Sequence, residues 1–178
     1  MAAHEQGKFW EYHDKLFENV RAIKQPDLEK HAQTVGLDMT KFKQALDTHK
    51  FQRLIEADKR MATTVGVKGT PHFFINGRPL SGAQPKDKFA EIIKQEIAAA
   101  DKLIAGGTPL ARVYTDLMRN AKASPAAAAP GGQQPSAAQG PRPGQPDPNA
   151  VYKVALGESP RKGGRAAKVT IVEFSDFQ

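Results

Sequence analysis

The 178-residue chain contains no cysteine. Structural disulfides, cysteine-ligated zinc and thiol chemistry are therefore excluded for the chain alone. No apolar run approaches the roughly 18 to 20 residues that a membrane helix requires. The opening stretch, MAAHEQGKFW, has no apolar core of the kind a secretory leader carries. There is no P-loop, no Gly-rich dinucleotide fingerprint and no Ser/His/Asp arrangement. The five histidines, His4, His13, His31, His49 and His72, form neither a His-x-x-x-His nor a His-Glu-x-x-His motif. Nothing in the sequence asks for a metal or other cofactor.

What is present is ordinary for a globular chain: 39% hydrophobic and 25% charged residues, with a net charge of +7. The charge is uneven. Residues 1–121 carry 19 Lys and Arg against 15 Asp and Glu, residues 122–168 carry seven against two, and the last ten residues are acidic. A basic excess admits nucleic acid or an anionic surface as partner. Here it is scattered among Pro and Gly with no interleaved aromatics, which fits a solvated linker, with no nucleic acid and no membrane bound.

Composition divides the chain into three. Residues 1–121 alternate helical patterns with one strand pair. Residues 122–150, KASPAAAAPGGQQPSAAQGPRPGQPDPNA, hold no hydrophobic residue larger than alanine, so burial cannot offset their ordering entropy. They are expected to be disordered or extended. Residues 151–178 become strand-like again.

Helical periodicity places Phe9, Trp10, Leu16, Phe17 and Val20 on one face of a helix over 8–20, with Trp10 and Phe17 as core. Pro26 opens a helix that Gly36 closes, and Asp38 is an N-cap for the next. A fourth helix covers about 50–64. TPHFFINGRPLSG then switches to β character. Asn76-Gly77 is the hairpin signal, because both positions of a type I′ turn need positive φ. Pro79 makes the return strand an edge strand. Long helices are predicted from Pro85 and from Pro109.

Phe73 to Ile75 is apolar on both faces and needs strands on both sides, yet residues 1–121 supply only the hairpin partner. VYKVAL and KVTIVEF, beyond the linker, are the remaining strands. The two ends of the chain are therefore expected to belong to one sheet, or partner chains to supply each other's strands.

These pieces resemble the DsbA-like thioredoxin-fold thiol–disulfide oxidoreductase family. VTIVEFSDFQ is similar to the strand before its active site, and GVKGTPHFFINGRPLSGAQPKDKFAEII to its cis-proline loop, hairpin and final helix. AAHEQGKFWEYHDKLFEN is similar to its helical insertion. The resemblance covers most of residues 2–105 and 151–178. It implies an α/β thioredoxin-like fold, incomplete or permuted, because the family places the Val169–Gln178 strand first and the hairpin last. It also implies that Val169–Phe174 lies antiparallel beside Phe73–Ile75, within one chain or by strand exchange in a homodimer. Residues 1–121 then represent the C-terminal part of one domain, and residues 151–178 the N-terminal strands of another. The chain reads as a tandem-repeat fragment or a permutant whose Cys-x-x-Cys would follow Gln178. No residue of the chain itself is then catalytic.

The resemblance also assigns site residues. A random X-Pro bond favours trans, but the family makes Thr70-Pro71 cis, with Thr70 pairing to an extended polypeptide substrate. His72 is a substrate contact or a surface strand histidine. Glu173 is a partly buried acid that helps move protons, or a strand-end glutamate bent into solvent. Three functions follow: an oxidoreductase of protein disulfides, a non-catalytic polypeptide-binding module, or a spacer that contacts anionic surfaces. The family's usual setting implies the bacterial periplasm or envelope.

Overall fold

The computed structural model describes residues 1–123, 147, 150–164 and 166–177. The expectation of a disordered or extended segment over 122–150 thus lies almost wholly outside the described residues. The chain divides into two units: Met1–Lys59 with Glu158–Arg161 and Asp176–Gln178, and Arg60–Gly157 with Lys162–Ser175.

The first unit is helical. It comprises α1 (Ala2–Glu5), α2 (Phe9–Glu18), α3 (Gln25–Thr34), α4 (Met39–Asp47) and the first part of α5 (Gln52–Thr64). Its core gathers Ala2, Ala3, Ala32, Leu37, Phe42 and Ala45. Asp38 caps α4 as predicted, its carboxylate accepting the N–H groups of Thr40 and Lys41. α1 escapes sequence reading because a four-residue helix shows no period.

The second unit is built on an antiparallel sheet of β1 (His72–Ile75), β2 (Arg78–Ser81) and β3 (Ile171–Phe174), in the order β2-β1-β3. Asn76 (φ 47°) and Gly77 (φ 83°) supply the positive φ values of the turn. The register pairs Phe73 with Leu80 on one side and with Glu173 on the other. The C-terminal strand therefore completes the sheet within the chain.

Alternation gives the sheet two faces. His72, Phe74, Val172 and Phe174 share one. It is covered by Val65 and, across the linker, by Tyr152 and Val154. Phe73 lies on the other, where its ring meets Phe89 of α6 (Lys86–Ala105) edge-on at 4.9 Å. Arg78 anchors the same helix through Gln95 and the buried Glu96.

One sequence expectation is corrected. VYKVAL forms no strand: Tyr152 makes a single bridge to Lys122, while its N–H goes to the Gly77 carbonyl. The segment packs its side chains on the sheet instead of extending it. The helix predicted from Pro109 is present, running from Leu110 through α7 (Val113–Leu117) to Asn120 with 3-10 turns at both ends.

Candidate functional site

The site builds outward from β1. The Thr70-Pro71 peptide is cis. Pro71 is half-buried, and its carbonyl accepts the Gly82 N–H at 2.9 Å, one step beyond the His72–Ser81 pair. On the other side the β1–β3 register ends at His72 opposite Phe174. Thr70, directly before Pro71, is exposed.

His72 is not on the surface. It is 2% exposed, and neither ring nitrogen finds a hydrogen-bond partner among the described residues. The ring packs 5.0 Å from Phe74. The surface reading fails because β3 and the Tyr152 segment cover this face, and neither is adjacent in sequence. Nor does a side chain so enclosed reach a ligand in this conformation. Burial pushes the His72 pKa below its ordinary value.

Glu173 is exposed on β3, on the face opposite Val172 and Phe174. Its neighbour Ile171 is 46% exposed. Its exposure leaves Glu173 without the burial that would prepare it as a proton carrier. Among the described residues no group of three His, Asp or Glu side chains could hold a metal ion.

Asn76 is the residue that sequence reading undervalued. Beyond its turn geometry it is 1% exposed and holds β3 in place. Its backbone N–H donates to Thr170, its Oδ1 accepts the Thr170 N–H at 2.9 Å, and its Nδ2 donates to the Lys168 carbonyl at 3.1 Å. The available signal was the habit of Asn side chains of bonding to backbone near turns.

In the helical unit, Trp10 and Phe17 belong to an aromatic face, not to the core. His13 lies 4.7 Å from Phe17 and 5.8 Å from Phe177, and Phe17 is 42% exposed. The Trp10 Nε1–H donates to the Arg161 carbonyl. Elsewhere in that unit a polar depression of about 570 Å³ includes Gln6, Lys41 and Thr48, and none of the expected site residues lines it.

Comparison with known proteins follows the same residues. The family described as DSBA-like thioredoxin domain matches residues 1–94. Disulfide bond formation protein D of Bacillus subtilis is 30% identical over 100 residues, covering 50% of this chain and 43% of that protein. The Na(+)/H(+) antiporter NhaA 3 of Salinispora tropica is 33% identical over 106 residues, 60% of this chain but 16% of its own length. The Na(+)/H(+) antiporter NhaA 1 of Salinispora arenicola is 37% identical over 82 residues, 46% of this chain and 13% of that protein. The chain therefore spans less than half the length of each of these relatives. No solved structure matches.

Proposed function

The chain belongs to the DSBA-like thioredoxin domain family, and from that premise we propose that it is the polypeptide-docking part of an oxidoreductase acting on protein disulfides. The observation that carries this reading is the exposure of Thr70, directly before Pro71 and the start of β1. A docked chain would add to the sheet end through backbone hydrogen bonds, which gives affinity without demanding a particular sequence. The chain has no cysteine, so the thiolate that attacks a disulfide must come from outside these residues.

The order of elements supports a second part of the proposal. The strand Ile171–Phe174, which the family places before its active site, comes after the hairpin here. We read the chain as spanning two repeats, or as a permutant, with Cys-x-x-Cys beyond Gln178. The bacterial periplasm or envelope is the setting we propose, by family. A homodimer that exchanges β3 between copies would keep the register of Val172 against Phe74.

Docking is tested on the chain itself. An unfolded, cysteine-free polypeptide should shift the amide resonances of Thr70 and His72 and leave those of α3 unmoved. Shifts spread over the surface, or none, would sink the proposal. The absence of cysteine also favours a second reading, a binding module without redox chemistry. The two separate on the full-length protein. Trypsin cuts after Lys168, so a peptide should begin VTIVEFSDFQ. Two cysteines just beyond Gln178, alkylated only after reduction, support the oxidoreductase; a peptide without cysteine supports the binding module.

A further inference from the structure

His72 is the first residue of β1 and follows Pro71 directly. It is enclosed by Phe74 on its own strand, and it pairs with Phe174 on β3 and Ser81 on β2. Val65, Tyr152 and Val154 line the rest of this face around Phe74. Among the described residues, both ring nitrogens are buried without hydrogen-bond partners. A neutral imidazole in such a place forfeits its hydrogen bonds. A protonated one would be an unpaired buried charge, which is far more costly.

No described carboxylate is hydrogen-bonded to the ring. Glu173 lies on the opposite face of β3, and Glu96 is held by Arg78 on the α6 side. Asp116 is paired with Arg112 and Arg119. Asp147 gives its backbone N–H to the Tyr152 hydroxyl. Ser81, opposite His72 on β2, is uncharged. Asp58, on the α5 helix whose Val65 covers this face, is pushed toward its neutral form by burial. Burial alone sets the direction in which the ring is shifted.

We propose that His72 is a proton-sensitive latch on the docking edge. Neutral, it seats the start of β1 between β2 and β3. Protonated, the ring must leave the core to reach water, which frees His72 from Phe174 and displaces the Thr70-Pro71 step beside it. Mild acid therefore opens the edge. The consequence for docking rests on the proposed function above; the latch does not.

The sign follows from proton uptake. The opened state takes its proton at the ordinary pKa of 6.5, whereas the closed state resists it. Each pH unit below that value multiplies the opened fraction roughly tenfold, until the closed state also protonates. Above it the closed state is insensitive to pH.

The test uses the intact chain without a docked polypeptide. Amide exchange at residues 72–74 and 172–174, corrected for the intrinsic rate, is followed between about pH 7.5 and about pH 5.5. Protection should fall roughly tenfold there, while the α6 amides keep theirs. His72→Phe and His72→Gln, which cannot take the proton, should remove the slope. Equal loss of protection in either variant would overturn the latch. Should both variants fail to fold, the His72 ring resonance of the unaltered chain decides. A titration at the ordinary value with protection unchanged overturns the proposal; a depressed titration coupled to lost protection supports it. Failure of polypeptide docking at neutral pH overturns the docking reading and leaves these results intact.

Discussion

The Asn76 side chain supplies a bond that the turning backbone gives up. Its Oδ1 accepts the Thr170 N–H and its Nδ2 reaches the Lys168 carbonyl, so β3 is held beyond its last regular pair. Asn76→Ala leaves both backbone groups short of partners and puts a less tolerant residue at positive φ. We predict a loss of about 2 kcal/mol in urea unfolding, with faster exchange of the Thr170 amide. Unchanged Thr170 exchange would refute the clamp. Gly77 is constrained by space as well as by φ. A Cβ there would sit 2.6 Å from the Tyr152 carbonyl and 2.8 Å from Met118 Cε. Gly77→Ala should therefore destabilise by more than about 1 kcal/mol, and a smaller loss would mean that the Tyr152 segment yields. Two tyrosines report on packing through titration. Burial raises Tyr12 and Tyr114 to about 12, and the Tyr114 hydroxyl donates to the Val154 carbonyl at 2.7 Å. A folded value above the unfolded 10.0 means that the stability these phenols contribute is present below pH 10 and is lost as pH rises toward about 12. Absorbance titration should show both ionising late, and Tyr114→Phe should remove one late step.

At the scale of elements, local rules account for α4 and long-range packing accounts for the rest of the site. Asp38 accepts two N–H groups at the start of α4, which has no acidic residue in its first turn. Asp38→Ala should cost about 1 kcal/mol, read as a lower urea midpoint with reduced helical signal; an unchanged midpoint would mean that packing alone sets the helix start. The cap, the Asn-Gly turn, the edge position of β2 and the pairing of β3 with β1 were all legible. Each rests on side-chain chemistry at a turn or on a strand too apolar to stand alone. The burial of His72 was not legible. It depends on Tyr152 and Val154 covering one sheet face, from a segment whose alternation looks like another strand. The helix from Pro109 was legible, because its residues fit a helical period and two of them, Val113 and Met118, are buried.

At the scale of the whole molecule, β3 is the last strand on its side of the sheet among the described residues. The Asn76–Thr170 pair is hydrogen-bonded, so by antiparallel alternation Val172 and Phe174 also direct their backbone groups toward β1. Ile171 and Glu173 direct theirs outward, and both are exposed. An edge of this kind invites another strand. It also separates two modes of self-association. If copies add edge to edge, Ile171→Lys should block them, because a charge on an exposed edge opposes pairing while removing little buried area. If copies exchange β3, the same contacts with Phe74 and Ile75 form in the dimer as in the monomer, and Ile171→Lys should leave association nearly unchanged. Sedimentation across a concentration series distinguishes the two. We expect a concentration-dependent dimer for the unaltered chain, consistent with exchange if it survives Ile171→Lys and with edge pairing if it does not. A monomer at every concentration would reject both, and the exposed edge would then be left for a strand that is not part of a second copy.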